Sequence, residues 1–387
     1  MVRKLLSSTL FRLLLAVVVG LVVGPFVGSG FMSVVVVVKY ILGQLIFFMV
    51  PLIVLSFISS SIVKMGALAS RLLSLSLLVA YLSSIGAAFL ALLLGYNILP
   101  CITVASSVEA SRVLPELLFE FNIPPVMSVI SALVLAVMVG LSALWSGAES
   151  VTKLLGELQR MVMLLIERVM IPILPIFIAA NFSALSYQGA ITHQLPIFLN
   201  VMLVVLVAHF VWLVVLYSVA GLISLKNPWQ VVRYYAQPYF TAVGTMSSAA
   251  TLPISLAAAK RSPILRGQTV DFAIPIFSNI HLCGSILTEV FFVMTVSKIL
   301  YGTFPDLSTM IIFVLLLGVF AIGAPGVPGG TVIASLGIVT SVVGFDAAGT
   351  ALLLTIFALQ DSFGTACNVV GDGALTLIVD SYNRAEG

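Results

Sequence analysis

Asp361, Thr365, Asn368 and Asp372 follow one another at steps of four, three and four residues in an otherwise apolar stretch, 351–379. At about 100° per residue, their side chains share an arc of roughly 60° on one helix face. A carboxylate at the centre of a bilayer costs about 2.5–3.5 kcal/mol on insertion scales. Two aligned carboxylates therefore point to a polar cavity rather than to lipid, and to a polar solute passing through the protein.

The rest of the chain is the frame that places this face. The 387 residues are 61% hydrophobic and 8% charged, which excludes a soluble domain, and the net charge of +3 is too small to indicate a nucleic-acid partner. Runs of about 20 apolar residues recur, each able to cross a hydrocarbon core of about 30 Å. Cys101, Cys283 and Cys367 have neither metal nor disulfide spacing. Arg3, Lys4 and Arg12 precede a long apolar run that reads as a first span rather than a cleaved leader.

Six spanning segments read as 9–29, 36–63, 71–98, 123–146, 152–184 and 195–225. With a cytoplasmic N-terminus, the inner ends collect Arg3, Lys4, Arg12, Lys64, Arg71, Lys153, Arg160, Lys226, Arg233, Lys260, Arg261, Arg266 and Arg384, while the outer side receives Lys39, Arg112 and Lys298. That asymmetry fits the positive-inside rule. Segment 228–262 is broken at Gly244-Thr245-Met246-Ser247-Ser248-Ala249-Ala250-Thr251-Leu252-Pro253 and is flanked by cations at both ends, so it should enter and return. A span follows at 268–300. Segment 307–342 is broken at Gly323-Ala324-Pro325-Gly326-Val327-Pro328-Gly329-Gly330 with both ends outside, and 348–380 is the last span. Two interrupted hairpins entering from opposite faces are the pattern of an inverted repeat meeting near mid-membrane. A plain kink at Gly and Pro is the competing reading, weakened by eight consecutive loop-type residues.

At these residues the chain resembles the dicarboxylate/amino acid:cation symporter family, the glutamate-transporter fold. Three motifs occur in the family's order: Ser247 to Pro253 at the first tip, Gly323 to Gly330 at the second, and Asp361, Thr365, Asn368 and Asp372 on the last span. The resemblance implies an all-α polytopic membrane protein of eight transmembrane helices plus two re-entrant helical hairpins. It also implies a homotrimer in the plasma membrane (a bacterial inner membrane) with both termini cytoplasmic, and an elevator motion. The scaffold would be 1–70 and 99–225, with part of the sixth span joining the mobile part. The transport domain would be 71–98, 226–266, 267–301, 302–346 and 347–387.

The same resemblance implies the roles. Substrate contacts fall on Ser247, Ser248, Ser285, Val327, Pro328, Gly329, Asp361, Gly364, Thr365 and Asn368. Asp361 stands where the family holds an α-amino group. An acidic side chain would need an arginine, and the two positions that carry it in acidic-substrate members read Met246 and Gly364. The expected substrate is therefore a small neutral amino acid, with Gly364 leaving room. The local string around Gln360-Asp361-Ser362 looks like the bacterial serine/threonine members.

The family's Asn-Met-Asp-Gly-Thr signature, which helps build sodium sites, reads His281-Leu282-Cys283-Gly284-Ser285 here. Sodium prefers oxygen ligands, so imidazole and thiol are poor replacements. Asp372 and Asn368 could keep one residual sodium site, with Asn279 just before the signature. No cofactor is expected, and a proton is the natural coupling ion. Glu289 stands where animal glutamate transporters carry an acid thought to take a proton, and His281 or Asp372 comes second. Glu157, Arg160, Glu167 and Arg168 read as helix pairs, His193 as a loop residue and His209 as a packed histidine. The alternatives are a sodium-coupled symporter of acidic amino acids or dicarboxylates, and, in other classes, an exchanger, a channel or an intramembrane hydrolase using Ser247 or Ser248 with His281.

Overall fold

The computed structural model describes residues 9–67, 71–101, 112–189, 191–324 and 329–382. Every regular element among them is helical. The first block comprises α1 (Thr9–Phe26), α2 (Ser29–Ala67), α3 (Arg71–Ile98), α4 (Val129–Ser146), α5 (Glu149–Leu165), α6 (Ile171–Tyr187) and α7 (Ile191–Ser224). The second comprises α8 (Trp229–Val232), α9 (Ala236–Thr245), α10 (Ser248–Lys260), α11 (Gly267–Ile280), α12 (Cys283–Tyr301), α13 (Leu307–Gly323), α14 (Gly330–Ile338) and α15 (Ala347–Tyr382). Six stretches are long and apolar enough to cross a bilayer among the described residues; 11–26, 134–146, 307–323 and 330–343 are apolar but shorter.

Local chemistry sets several boundaries. The fourth span was expected from residue 123, but Pro124 and Pro125 bring no N–H to a helix. The helix starts only at Val129, where Ser128 Oγ accepts from the Ser131 N–H at 3.1 Å. Residue 193, expected in a loop, belongs to the first turn of α7. Asp306 caps α13 by accepting from the Thr309 N–H, and the Ser308 hydroxyl above all pulls its carboxyl down to about 2, so the cap stays charged at physiological pH.

The helices sort into two packed groups. In one, α1 lies along α6, and α2 lies against α4, α5 and α6. In the other, α12 and α15 form a buried central pair, surrounded by α3, α7, α9, α10 and α11. The sequence reading grouped α7 largely with the first set, but it packs chiefly on α15 and α12. The expected single span 268–300 is interrupted: His281 and Leu282 leave helical geometry between α11 and α12.

Close approach between α1 and α6 depends on glycine. A Cβ at Gly24 would stand 2.5 Å from the Ser183 carbonyl oxygen and 2.8 Å from the Tyr187 nitrogen, both backbone atoms. Gly24→Val is expected to destabilise the protein by about 1–3 kcal/mol. The same change at Gly28, which has nothing within 4 Å, is expected to stay within about 0.5 kcal/mol. Thermal unfolding of the detergent-purified variants, measured side by side, separates the two.

Candidate functional site

Two helical hairpins bring their tips onto α15. α9 and α10 pack side by side, joined only by Met246 and Ser247. The break is shorter than the sequence suggested, because Ser248 to Pro253 are already helical. Ser247 caps α10, its Oγ accepting from the Ala250 N–H at 3.2 Å. Met246 is buried with φ at 54°, a left-handed conformation that costs a side-chain-bearing residue about 1–2 kcal/mol. Ala242, one turn before this tip, packs with Ala366 and Val369 of α15. Past the second tip, α14 and the π-helical turn after it fold back along α13. Gly329, at φ 72°, starts α14, and its N–H donates to Asp361 Oδ2 at 2.6 Å. Residue 361 and the 366–369 turn lie about 9 Å apart along α15 at 1.5 Å per residue, and at about 100° per residue Ala366 and Val369 flank the polar face, so the second tip meets that face and the first hairpin packs beside it.

The α11–α12 break supplies the next layer. The first N–H groups of α12 have no partner within their own helix. Asn368 reaches over from α15, its Oδ1 accepting from Gly284 N at 2.7 Å and Ser285 N at 3.3 Å. Its Nδ2 donates to Ser285 Oγ at 3.0 Å. His281, released from helical geometry, places Nδ1 2.9 Å from Asp372 Oδ1 and Nε2 2.9 Å from Ser83 Oγ on α3. With Asp372 ionised, Nδ1 must carry its hydrogen. Nε2 then accepts from the Ser83 hydroxyl in the neutral ring or donates to it in the imidazolium, so neither state loses a bond.

One turn along α12, Glu289 Oε1 meets Ser335 Oγ on α14, while Oε2 has no hydrogen-bond partner among the described residues. Ser335 Oγ is also 3.0 Å from the Val332 carbonyl oxygen. A hydroxyl has a single proton for these two acceptors. A protonated Glu289 resolves the competition, donating to Ser335 Oγ, which then donates to Val332.

The structure thus brings Ser285 to Asn368 and Gly329 to Asp361, two turns apart on α15, and adds the His281–Asp372 and Glu289–Ser335 contacts. Ser248 and Thr365 are buried on the tip and on α15, respectively. Val327 and Pro328 lie outside the described residues. Asn279 turns away: it is exposed, and its Nδ2 donates to the Pro275 carbonyl at 2.8 Å. The space expected at Gly364 is filled, because a Cβ there would meet the Ser285 backbone at 3.3 Å. Gly364 serves helix packing rather than pocket volume. Ser83 and Ser335 were missed; both sit on other helices, and nothing in their local sequence marks them. His209, read as a packed histidine, is buried, with Nε2 3.0 Å from the Gly284 carbonyl and 2.9 Å from Thr288 Oγ1. Glu157 and Arg160 pair at 3.8 Å on the surface of α5.

Comparison with known proteins places this geometry. The family model described as "Sodium:dicarboxylate symporter family" matches residues 9–382. The chain is 27% identical to excitatory amino acid transporter 3 of Bos taurus over 264 residues, which is 67% of this chain and 48% of that protein. It is 28% identical to human excitatory amino acid transporter 1 over 210 residues, 54% of this chain and 38% of that protein. The chain therefore spans half or less of the length of the relatives it matches.

The His281–Asp372 contact makes a stability prediction. His281→Ala leaves a buried acceptor on Asp372 without its donor, and is expected to cost about 1–3 kcal/mol. His281→Asn, which keeps an N–H donor near the Nδ1 position, is expected to lose less. Equal loss in both, by thermal unfolding in detergent, would show that this bond does not contribute to the fold.

Proposed function

Because the chain belongs to the sodium:dicarboxylate symporter family, we propose that it is a proton-coupled secondary transporter of a small neutral amino acid. It would work with eight crossings and two re-entrant hairpins as a homotrimeric elevator, embedded in lipid in a bacterial inner membrane with both termini cytoplasmic. The observation that carries the reading is Asp361. It is a buried carboxylate whose only described hydrogen bond comes from a backbone N–H at the second tip. A fixed carboxylate with no cationic partner suits an incoming ammonium. The substrate carboxylate would take hydroxyls and N–H groups at the two tips, from Ser247, Ser248 and Val327, with Pro328 and Gly329 shaping the second tip and Ser285, Thr365 and Asn368 alongside. Two cations of this half, Lys226 and Arg266, are held by Asp380 at 2.8 and 2.9 Å, 19 residues along α15 from Asp361. The two positions that carry an arginine in acidic-substrate members read Met246 and Gly364, which disfavours acidic amino acids and dicarboxylates.

Sodium, which the family's name implies, does not fit the residues present. Asp372 Oδ1 is engaged by imidazole, and Asn368 Oδ1 accepts two backbone N–H groups. Oxygens committed to N–H donors do not form a cation cage. Protons fit better. His281 sits beside a hydroxyl that can reverse its hydrogen bond, and Glu289 beside one whose single proton serves both Glu289 and Val332 only when Glu289 is protonated, so a proton on Glu289 changes the bonding of the second hairpin. Glu289 also touches α14, which ties its proton to the second hairpin. Ser83, His281 and Asp372 stand in the hydrogen-bond order of a hydrolase triad, but all three are buried, and the family is one of transporters rather than enzymes.

The packing suggests which way the site faces. Every residue of α14 is buried, and α14 lies against α2 and α4, whereas Gly244, Thr245, Ala249 and Ala250 at the first tip are exposed. With the first hairpin entering from the cytoplasm, this is an inward-facing arrangement.

Two measurements test the reading in proteoliposomes holding the purified protein. Asp361→Asn removes a charge-assisted contact worth about 1.5–3 kcal/mol, so uptake of its amino acid is expected to fall roughly tenfold or more. An inward proton gradient is expected to drive accumulation without sodium, to lose that effect with a protonophore, and to lose about tenfold or more in Glu289→Gln. Strict sodium dependence with no response to pH would reject proton coupling and leave the substrate assignment standing.

A further inference from the structure

At the end of the bundle that carries Lys226 and Arg266, α7, α8, α9 and α15 leave a cavity of about 620 Å³. None of the expected substrate or coupling residues lines it, although Tyr239 also packs against the Ala242, Ala366 and Val369 cluster. Its wall along α7 is apolar, built from Phe210, Leu213, Val214 and Tyr217. Its other end is polar, with Trp229 and Arg233. At 1.5 Å per residue, Phe210 lies about 21 Å from the end of α7 at Ser224. The cavity thus runs from a polar rim into apolar depth.

Arg233 is exposed, and its charge is uncompensated. Its Nη2 donates to the Tyr234 hydroxyl at 2.8 Å, and its guanidinium lies over the Tyr234 ring at 4.8 Å. No carboxylate lies within ion-pair distance of it among the described residues, whereas Lys226 and Arg266 share Asp380. Trp229 is 64% exposed at the same rim, the position at which tryptophan marks a membrane interface. Basic residues at helix ends on the cytoplasmic side attract anionic headgroups.

The geometry points to a binding site for one anionic phospholipid, its phosphate on Arg233 and one acyl chain in the apolar groove along α7. A zwitterionic lipid brings its own cation beside the phosphate and gains less from Arg233. The site is independent of the transported solute, so its loss would leave the transport reading untouched.

The test uses the full-length protein in mixed micelles containing equal amounts of palmitoyl-oleoyl phosphatidylglycerol and phosphatidylcholine, with retained lipids counted by native mass spectrometry. The acyl chains are identical, so only the headgroup can discriminate. The unaltered protein is expected to retain the anionic lipid about fivefold over the zwitterionic one. Arg233→Gln, at an exposed position, is expected to bring that ratio close to one. Ser218→Trp, which fills the groove from an exposed position on α7, is expected to reduce retention of both lipids. A ratio near one in the unaltered protein, or a preference that survives Arg233→Gln, overturns the proposal. So does a Ser218→Trp variant that changes assembly state while keeping its lipid, which would mark the groove as a protein contact.

Discussion

Asn368 holds the step between α11 and α12. A helix that begins inside a bilayer presents N–H groups that neither water nor a preceding turn can satisfy. The Asn368 oxygen takes the Gly284 and Ser285 N–H groups, and its nitrogen gives a bond back to Ser285 Oγ. This needs α12 and α15 to run almost backbone to backbone. They do so at Gly284, where a Cβ would stand 2.4 Å from the Gly364 carbonyl oxygen. With the step fixed there, His281 is freed from helical geometry and can face both Asp372 and Ser83. Glu289 then falls on the side of α12 that meets the second hairpin.

Much of this was legible in the chain. The polar face of α15 follows from spacing alone, because a buried helix repeats its side chains by geometry. The two interruptions follow from runs of Gly, Pro and Ser that no lipid-facing helix sustains. Other features were not legible. The break at His281 and Leu282 occurs without Pro or Gly at those positions, so only the partner on α15 reveals it. Ser83 and Ser335 look like any buried serine until the fold places them 2.9 Å from an imidazole or against a carboxyl. Gly364 was legible as small, but whether its vacancy faces solute or backbone depends on a helix eighty residues away.

The two hairpins share one construction and live in different surroundings. Both end on α15, one at Ala366 and Val369 and the other at Asp361. The second is sealed between the two helix groups, while the first leaves part of its tip uncovered. The inequality lies in the packing of otherwise similar helical pairs.

Asp380 follows Lys226 by 154 residues and Arg266 by 114. During synthesis the two cations exist long before their anion. They bracket the first hairpin, Lys226 before α8 and Arg266 just before α11. When the last helix arrives, its buried carboxylate neutralises both and fastens the hairpin at each end. α15 is therefore the clasp of the first hairpin, and a chain made from its N-terminus produces the clasp after both parts it holds.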